Sequence, residues 1–178
     1  MSLTKHVQIM AQYNQWMNQK LYDAVSGMDE AELKQERGAF FGSLFATLNH
    51  IAVADTIWLK RLSGLFPTQW NLTGIENLQT IHALDTQLFD QLAELRQYRE
   101  GVDHLLLQIS EKIDEQTLMA PLHYTDIKGN PHTKEFFSLL MHVFNHQTHH
   151  RGQITTLLSQ ANIDIGVTDL NAIIPELI

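Results

Sequence analysis

Apolar residues recur at steps of three and four through four long stretches of this chain, the spacing that puts one buried stripe on an α-helix. The first stretch, about residues 3–27, aligns Leu3, Val7, Met10, Asn14, Met17, Leu21 and Ala24 and stops at Gly27. The second follows Gly38 to Gly42, with Ser43 as N-cap, a stripe of Leu44, Leu48, Ile51, Asp55, Trp58 and Leu62, and Gly64 and Pro67 as its stop. The third aligns Leu88, Leu92, Leu95, Tyr98, Val102, Leu106, Ile109 and Ile113, although Gly101 inside it costs up to about 1 kcal/mol relative to alanine. The fourth runs from about Thr133 to Gln160, where Asn162 supplies a left-handed cap.

Helices of about 20–28 residues are roughly 30–42 Å long, and four of them with one apolar stripe each predict an all-α, four-helix bundle. Between the third and fourth, Leu122 to Ile127 alternates in polarity and Lys128-Gly129-Asn130-Pro131 follows, which predicts a small β-hairpin with Gly129 at the first central position of its turn. The tail from Val167 is apolar enough to pack on the bundle, with a short helix begun by Thr168 or Asp169. A chain of 178 residues with no internal repeat or linker reads as a single domain over residues 1–178.

Two interruptions of the apolar stripes carry chemistry. In the fourth helix the stripe runs Leu139, Val143, His146, His150, Ile154, Leu157, so two histidines one turn apart occupy core positions. Ten histidines in this chain make such a pair common by chance, but two buried imidazoles side by side leave ring nitrogens to satisfy, and one metal ion satisfies both. His142, Asn145 and His149 share a neighbouring polar stripe and are assigned to the surface or an interface. A third ligand has to come from another helix, and His50, flanked by the small neighbours Thr47 and Ala54, is the candidate. Asp55, on the second stripe, needs a buried partner, either as a structural ion pair or as a proton-handling group beside the metal. Arg151 is assigned a salt bridge to a neighbouring helix or an anchor for a substrate anion, and Tyr13, Trp16 and Trp58 are assigned to the core or a lid.

Composition narrows the function. A formal net charge of −8, with 12 scattered Lys and Arg, opposes binding to nucleic acid. The chain has no run of about 18 apolar residues and no basic-then-apolar start, which predicts a cytoplasmic protein without a membrane span. Zero cysteine excludes disulfides, thiolate metal sites and a cysteine nucleophile, leaving imidazole and carboxylate as ligands. A zincin requires H-E-x-x-H, and Gln147 stands where the glutamate belongs; a di-iron bundle requires E-x-x-H, and no glutamate here has histidine three residues later.

Three segments together, Tyr13-Asn14-x-Trp16-x-Asn18, Phe41-Gly42-Ser43-Leu44-Phe45-x-Thr47-Leu48-x-His50-Ile51 with Asp55 and Trp58, and His146-x-x-x-His150-Arg151-Gly152-Gln153, resemble the DinB/YfiT-like superfamily of metal-binding four-helix bundles. The resemblance spans nearly the whole chain. It implies a divalent metal, zinc or nickel foremost, on His50, His146 and His150, with open positions, and it implies homodimers. Several members are thiol-dependent transferases or isomerases using bacillithiol, mycothiol or glutathione, so the resemblance implies an S-transferase that activates a low-molecular-weight thiol against a small-molecule substrate. The alternatives are a hydrolase acting through an activated water and a non-enzymatic, stress-linked metal-binding protein. No motif identifies a catalytic acid or base.

Overall fold

Ser2 opens the first helix of the computed structural model, which describes residues 2–63, 66 and 70–176. Its hydroxyl accepts the Lys5 amide at 3.2 Å and so satisfies one of the free N–H groups at the start of α1 (Leu3–Val25). Asp29 does the same for α2 (Glu30–Lys34) and Asp114 for α5 (Glu115–Leu118). These two helices are too short to show a 3.6-residue period, and the apolar pattern alone misses them. Ser43 caps α3 (Leu44–Ser63), accepting the Ala46 amide at 3.1 Å, as its position predicts. The stop expected at Gly64 and Pro67 lies outside the described residues.

Two boundaries differ from the pattern. Helix α4 is Leu92–Lys112, not begun at Leu88, because the Leu88 amide bonds to the Asn49 side chain at 2.8 Å while its apolar part still packs on the core. Helix α6 is Phe136–Gln160, because residues before it are used as a strand: β2 (Pro131–Glu135) pairs antiparallel with β1 (Pro121–Thr125), Thr125 opposite Pro131. The hairpin therefore exists, but its turn is longer than expected. Asp126 accepts the Gly129 amide on its carbonyl at 3.0 Å, and Gly129 adopts φ +85° at the end of that turn, not at a first central position. Asn162 takes φ +60° and the following Ile163 amide reaches back to Leu158 O at 2.9 Å, the left-handed closure expected for α6. The tail forms a 3-10 turn at Leu170–Ile173 after Asp169 and is tied to α1 by Tyr13 Oη donating to Thr168 O and Lys20 Nζ to Val167 O, both at 2.7 Å.

The four long helices form a ring in which α1 neighbours α4 and α6, and α3 neighbours the same two. Fully enclosed apolar side chains such as Leu21, Leu44, Leu62, Leu95, Phe136 and Ile154 fill its interior. A polar layer crosses this core. Arg99, 2 % exposed, is paired with Asp55 of α3 and lies 3.0 Å from Asp103 of its own helix. Asp103 in turn accepts N–H bonds from Asn14 and Asn18 of α1 at 3.1 and 2.9 Å, and Asn18 also reaches Gln147 of α6 at 3.2 Å. All four long helices are joined through hydrogen bonds that hold only in one register. No helix among the described residues is long and apolar enough to cross a membrane.

Candidate metal centre

Because α3 and α6 are neighbours in the ring, His50 on one faces His146 and His150 on the other. The Nε2 atoms of His50 and His146 are 3.3 Å apart, and those of His150 and His146 are 3.1 Å apart. Nitrogen ligands about 2.0–2.1 Å from a shared tetrahedral centre stand about 3.3 Å from each other, so the spacing is that of one ion's coordination sphere. Three imidazoles that converge through the same ring atom cannot satisfy one another by hydrogen bonds alone, since each neutral ring has a single N–H. His50 and His150 are buried and His146 is half-buried, so one edge of the trio faces open space. This group can hold a metal ion.

The surrounding residues fix which nitrogens face inward. His150 Nδ1 lies 2.8 Å from Gln153 Oε1, an acceptor, so Nδ1 carries the proton and Nε2 keeps its lone pair for the trio. Gln153→Ala is expected to weaken metal binding about 10- to 100-fold while leaving the fold intact, checked by competitive titration against a chelator of known affinity. Phe41 stacks on His50 with ring centroids 3.9 Å apart and 22° between planes, and meets His150 edge-on at 5.4 Å. The turn that presents Phe41 requires Gly42: at φ +79° an added Cβ would sit 2.5 Å from the Glu36 carboxylate. Beside His50, Asn49 ties down the segment before α4, donating to Thr86 O and accepting from the Leu88 amide, both at 2.8 Å.

Burial drives the trio toward its neutral, ligating form. Desolvation, followed by the field of His150, lowers His50 to about 4, and the same two causes with His50 added lower His146 to about 3. Burial also lowers His150. A depressed histidine pKa means that protons compete with metal only as the pH falls toward the folded-state value. Three ordinary imidazoles of pKa near 6.5 would lose roughly tenfold each in metal affinity at pH 5.5, about a thousandfold together. Here the affinity is expected to fall by far less than a thousandfold between pH 7.5 and 5.5 and to collapse as the pH approaches the lowered values of His50 and His146, measured by titration at each pH.

Other expectations are sorted by the same geometry. Asp55 is the ion-pair partner of Arg99 and is fully enclosed. Arg151 neither bridges to a carboxylate within 4 Å among the described residues nor faces solvent. Its Nη1 donates to Asn14 and to Gln147 Oε1, its Nη2 to Thr148 at 3.1 Å, and Tyr13 covers it at 5.5 Å. His149 is exposed as expected, with its ring 4.8 Å from that of His150. His142 is a partial correction: it is exposed, but its ring stands 6.0 Å from His146 and 5.2 Å from Trp58, on the wall of a cavity of about 450 Å³ that also includes His50 and His146. Trp58 and Arg61 of α3, Leu84, and Asp126 to Lys128 of the hairpin turn also line this wall. Gln153, Asn49 and Arg61 were not singled out by spacing. Gln153 was the most legible of them, three residues after His150 on the same face.

A ring of four helices with an interhelical trio of imidazoles at a cavity defines a helical-bundle protein with a candidate mononuclear metal site. The family model described as "DinB family" matches residues 1–172, and the chain belongs to that family. It is similar to Protein DinB of Bacillus subtilis strain 168, 29 % identical over 163 residues that cover 89 % of this chain and 87 % of that protein. A crystal structure of a DinB-like protein from Bacillus cereus ATCC 10987 shares the fold with a TM-score of 0.58 at 21 % identity, covering 88 % of this chain and 91 % of the other.

Proposed function

We propose that this protein is a metal-dependent S-transferase that joins a low-molecular-weight thiol to a small electrophilic molecule. The observation that supports it most is the convergence of three imidazole Nε2 atoms, with His50 and His146 lining an open cavity, in a chain without cysteine. A divalent ion, zinc or nickel, supplies there a positive charge that lowers the pKa of an arriving thiol and so yields a nucleophile near neutral pH. His50, His146 and His150 enter as neutral donors and leave that charge undiminished. Gln153 holds the tautomer of His150, and Phe41 holds the ring plane of His50 and shields that side. The sulfur has to come from outside the chain. Its proton leaves to solvent, the new S–C bond forms at the electrophilic carbon, and that carbon releases its leaving group or, on addition to an activated alkene, the neighbouring carbon takes up a proton.

The hydrolase reading is less well supported, because it needs a general base beside the activated water. Asp55 is committed to Arg99 in the core. Asp126 lines the cavity, but its carboxylate already accepts the Lys128 and Asn130 amides at 2.9 Å each and the Asn130 side chain at 2.9 Å.

The test is incubation of zinc- or nickel-loaded protein with bacillithiol, mycothiol and glutathione, each against a panel of alkyl halides and activated alkenes, with conjugates followed by mass spectrometry. Conjugation that His150→Ala abolishes is the expected result. Absence of conjugation across the whole panel, with metal binding shown by a metal-dependent rise in melting temperature, would overturn the S-transferase reading. The reading includes a cytoplasmic homodimer, for which sedimentation velocity is the check.

A further inference from the structure

The cavity beside the imidazoles holds a cation with no assigned partner. Arg61 is half-buried, and its guanidinium lies over two rings that touch each other edge-on, 4.8 Å from Trp58 and 5.3 Å from Tyr124. Among the described residues no carboxylate comes within 4 Å of it. Partial burial of an unpaired guanidinium is unfavourable unless a ligand completes it, and two aromatic faces leave its planar edge free for a carboxylate. Asp126 lines the same cavity, yet the turn saturates it: besides the three bonds already described, His132 Nε2 stands 3.3 Å from its second oxygen. Lys128 and Asn130 stand on the same wall, so the lining carries two cations against one anion before any metal is counted. The rest of the wall is apolar, with Ile57, Trp58, Leu84 and Ile127, apart from His142 beside Trp58 and His146.

We propose that this cavity binds an elongated organic anion, the carboxylate-bearing thiol of the reaction, with its sulfur at the imidazole trio and a carboxylate on Arg61. This rests on the S-transferase reading. Arg61 follows His50 by eleven residues on one helix, about 16 Å along the axis, and its guanidinium turns back over Trp58, which leaves on the order of 10 Å between the two ends of the cavity. In glutathione eight bonds separate the central sulfur from the γ-glutamyl carboxylate, roughly 10 Å when extended. Thiols of two or three carbon atoms are too short to reach both ends, and a tripeptide-sized thiol is long enough. Arg61 is thus a specificity-determining residue that aligns the thiol and does not touch the reacting atoms.

The test compares binding of glutathione and of its diethyl ester, which keeps the sulfur and the shape but removes both carboxylate charges. Cobalt-loaded wild type, Arg61→Gln and Arg61→Lys are titrated by calorimetry, with sulfur-to-cobalt charge-transfer absorption recorded in parallel. Wild type is expected to prefer the free acid by about tenfold or more, Arg61→Gln to reduce the preference to within about twofold, and Arg61→Lys to fall between them. Equal cobalt uptake by the three proteins certifies that each is folded. Charge transfer with both ligands, but no preference in wild type or an undiminished preference in Arg61→Gln, overturns the anchor while leaving the thiol reading in place. No charge transfer with either ligand overturns the thiol reading, and the anchor with it.

Discussion

Arg99→Met is expected to lower the free energy of unfolding by about 3–5 kcal/mol, a third or more of what a domain of this size has. The methionine fills a similar volume, so the loss is electrostatic. Arg99 is the only cation within 4 Å of either Asp55 or Asp103 among the described residues, and both carboxylates are sealed from water. Burial already pushes Asp55 up to about 6 and raises Asp103, while Arg99 opposes that rise in both. Without the guanidinium, both carboxyls rise further above their unfolded values. A group raised in the folded state contributes stability below its unfolded pKa and loses it as pH climbs through the folded one. The penalty should therefore grow from pH 5 to pH 8, and urea unfolding at the two pH values measures it. A pH-independent loss of 1 kcal/mol or less would mean that the polar layer is solvated and does not set the register of the helices.

His146→Ala is expected to weaken zinc or nickel binding by about a hundred- to a thousandfold. A four-ligand zinc site of about 10–16 kcal/mol averages roughly 3–4 kcal/mol per protein ligand, and His146 is the member that stands within 3.3 Å of both others. Removing it leaves only two imidazoles, His50 and His150 on different helices, to hold the ion. The metal-free variant should be as stable as metal-free wild type or slightly more so above pH 6.5, because one neutral imidazole no longer has to be desolvated there. A loss of only a few-fold in affinity would show that the ion, if it binds, binds elsewhere.

Most of the bundle could be read from the chain because its helices obey one rule, an apolar residue every three or four positions, and the capping of α3 by Ser43 and the closure of α6 at Asn162 follow from local backbone chemistry. His146 and His150 were legible for the same reason, since they fall in phase with Leu139, Val143 and Ile154. Of the polar layer only Asp55 was legible, as a carboxylate on an apolar stripe that needs a buried partner. Arg99 and Asp103 sit four apart between Leu95 and Leu106, in phase with the buried stripe of α4, and a reading that follows apolar residues passes over them. Gln147 was hidden in the same way beside the two histidines, and Arg151, expected to form a salt bridge or to anchor an anion, donates to Asn14, Gln147 and Thr148 instead. The cavity could not be read at all. Its wall comes from the hairpin turn and from the segment before α4, where no helical period exists and where Asn49 and the saturated Asp126 fix the backbone through contacts distant in sequence or specific to one turn.

X-ray absorption at the metal edge of zinc- or nickel-loaded protein tests the central claim most directly. Three imidazole rings at about 2.0–2.1 Å, completed by one or more lighter donors and reduced to two rings in His50→Ala, is the predicted result. A spectrum with one imidazole or none, or one unchanged by His50→Ala, would contradict a metal centre shared between α3 and α6.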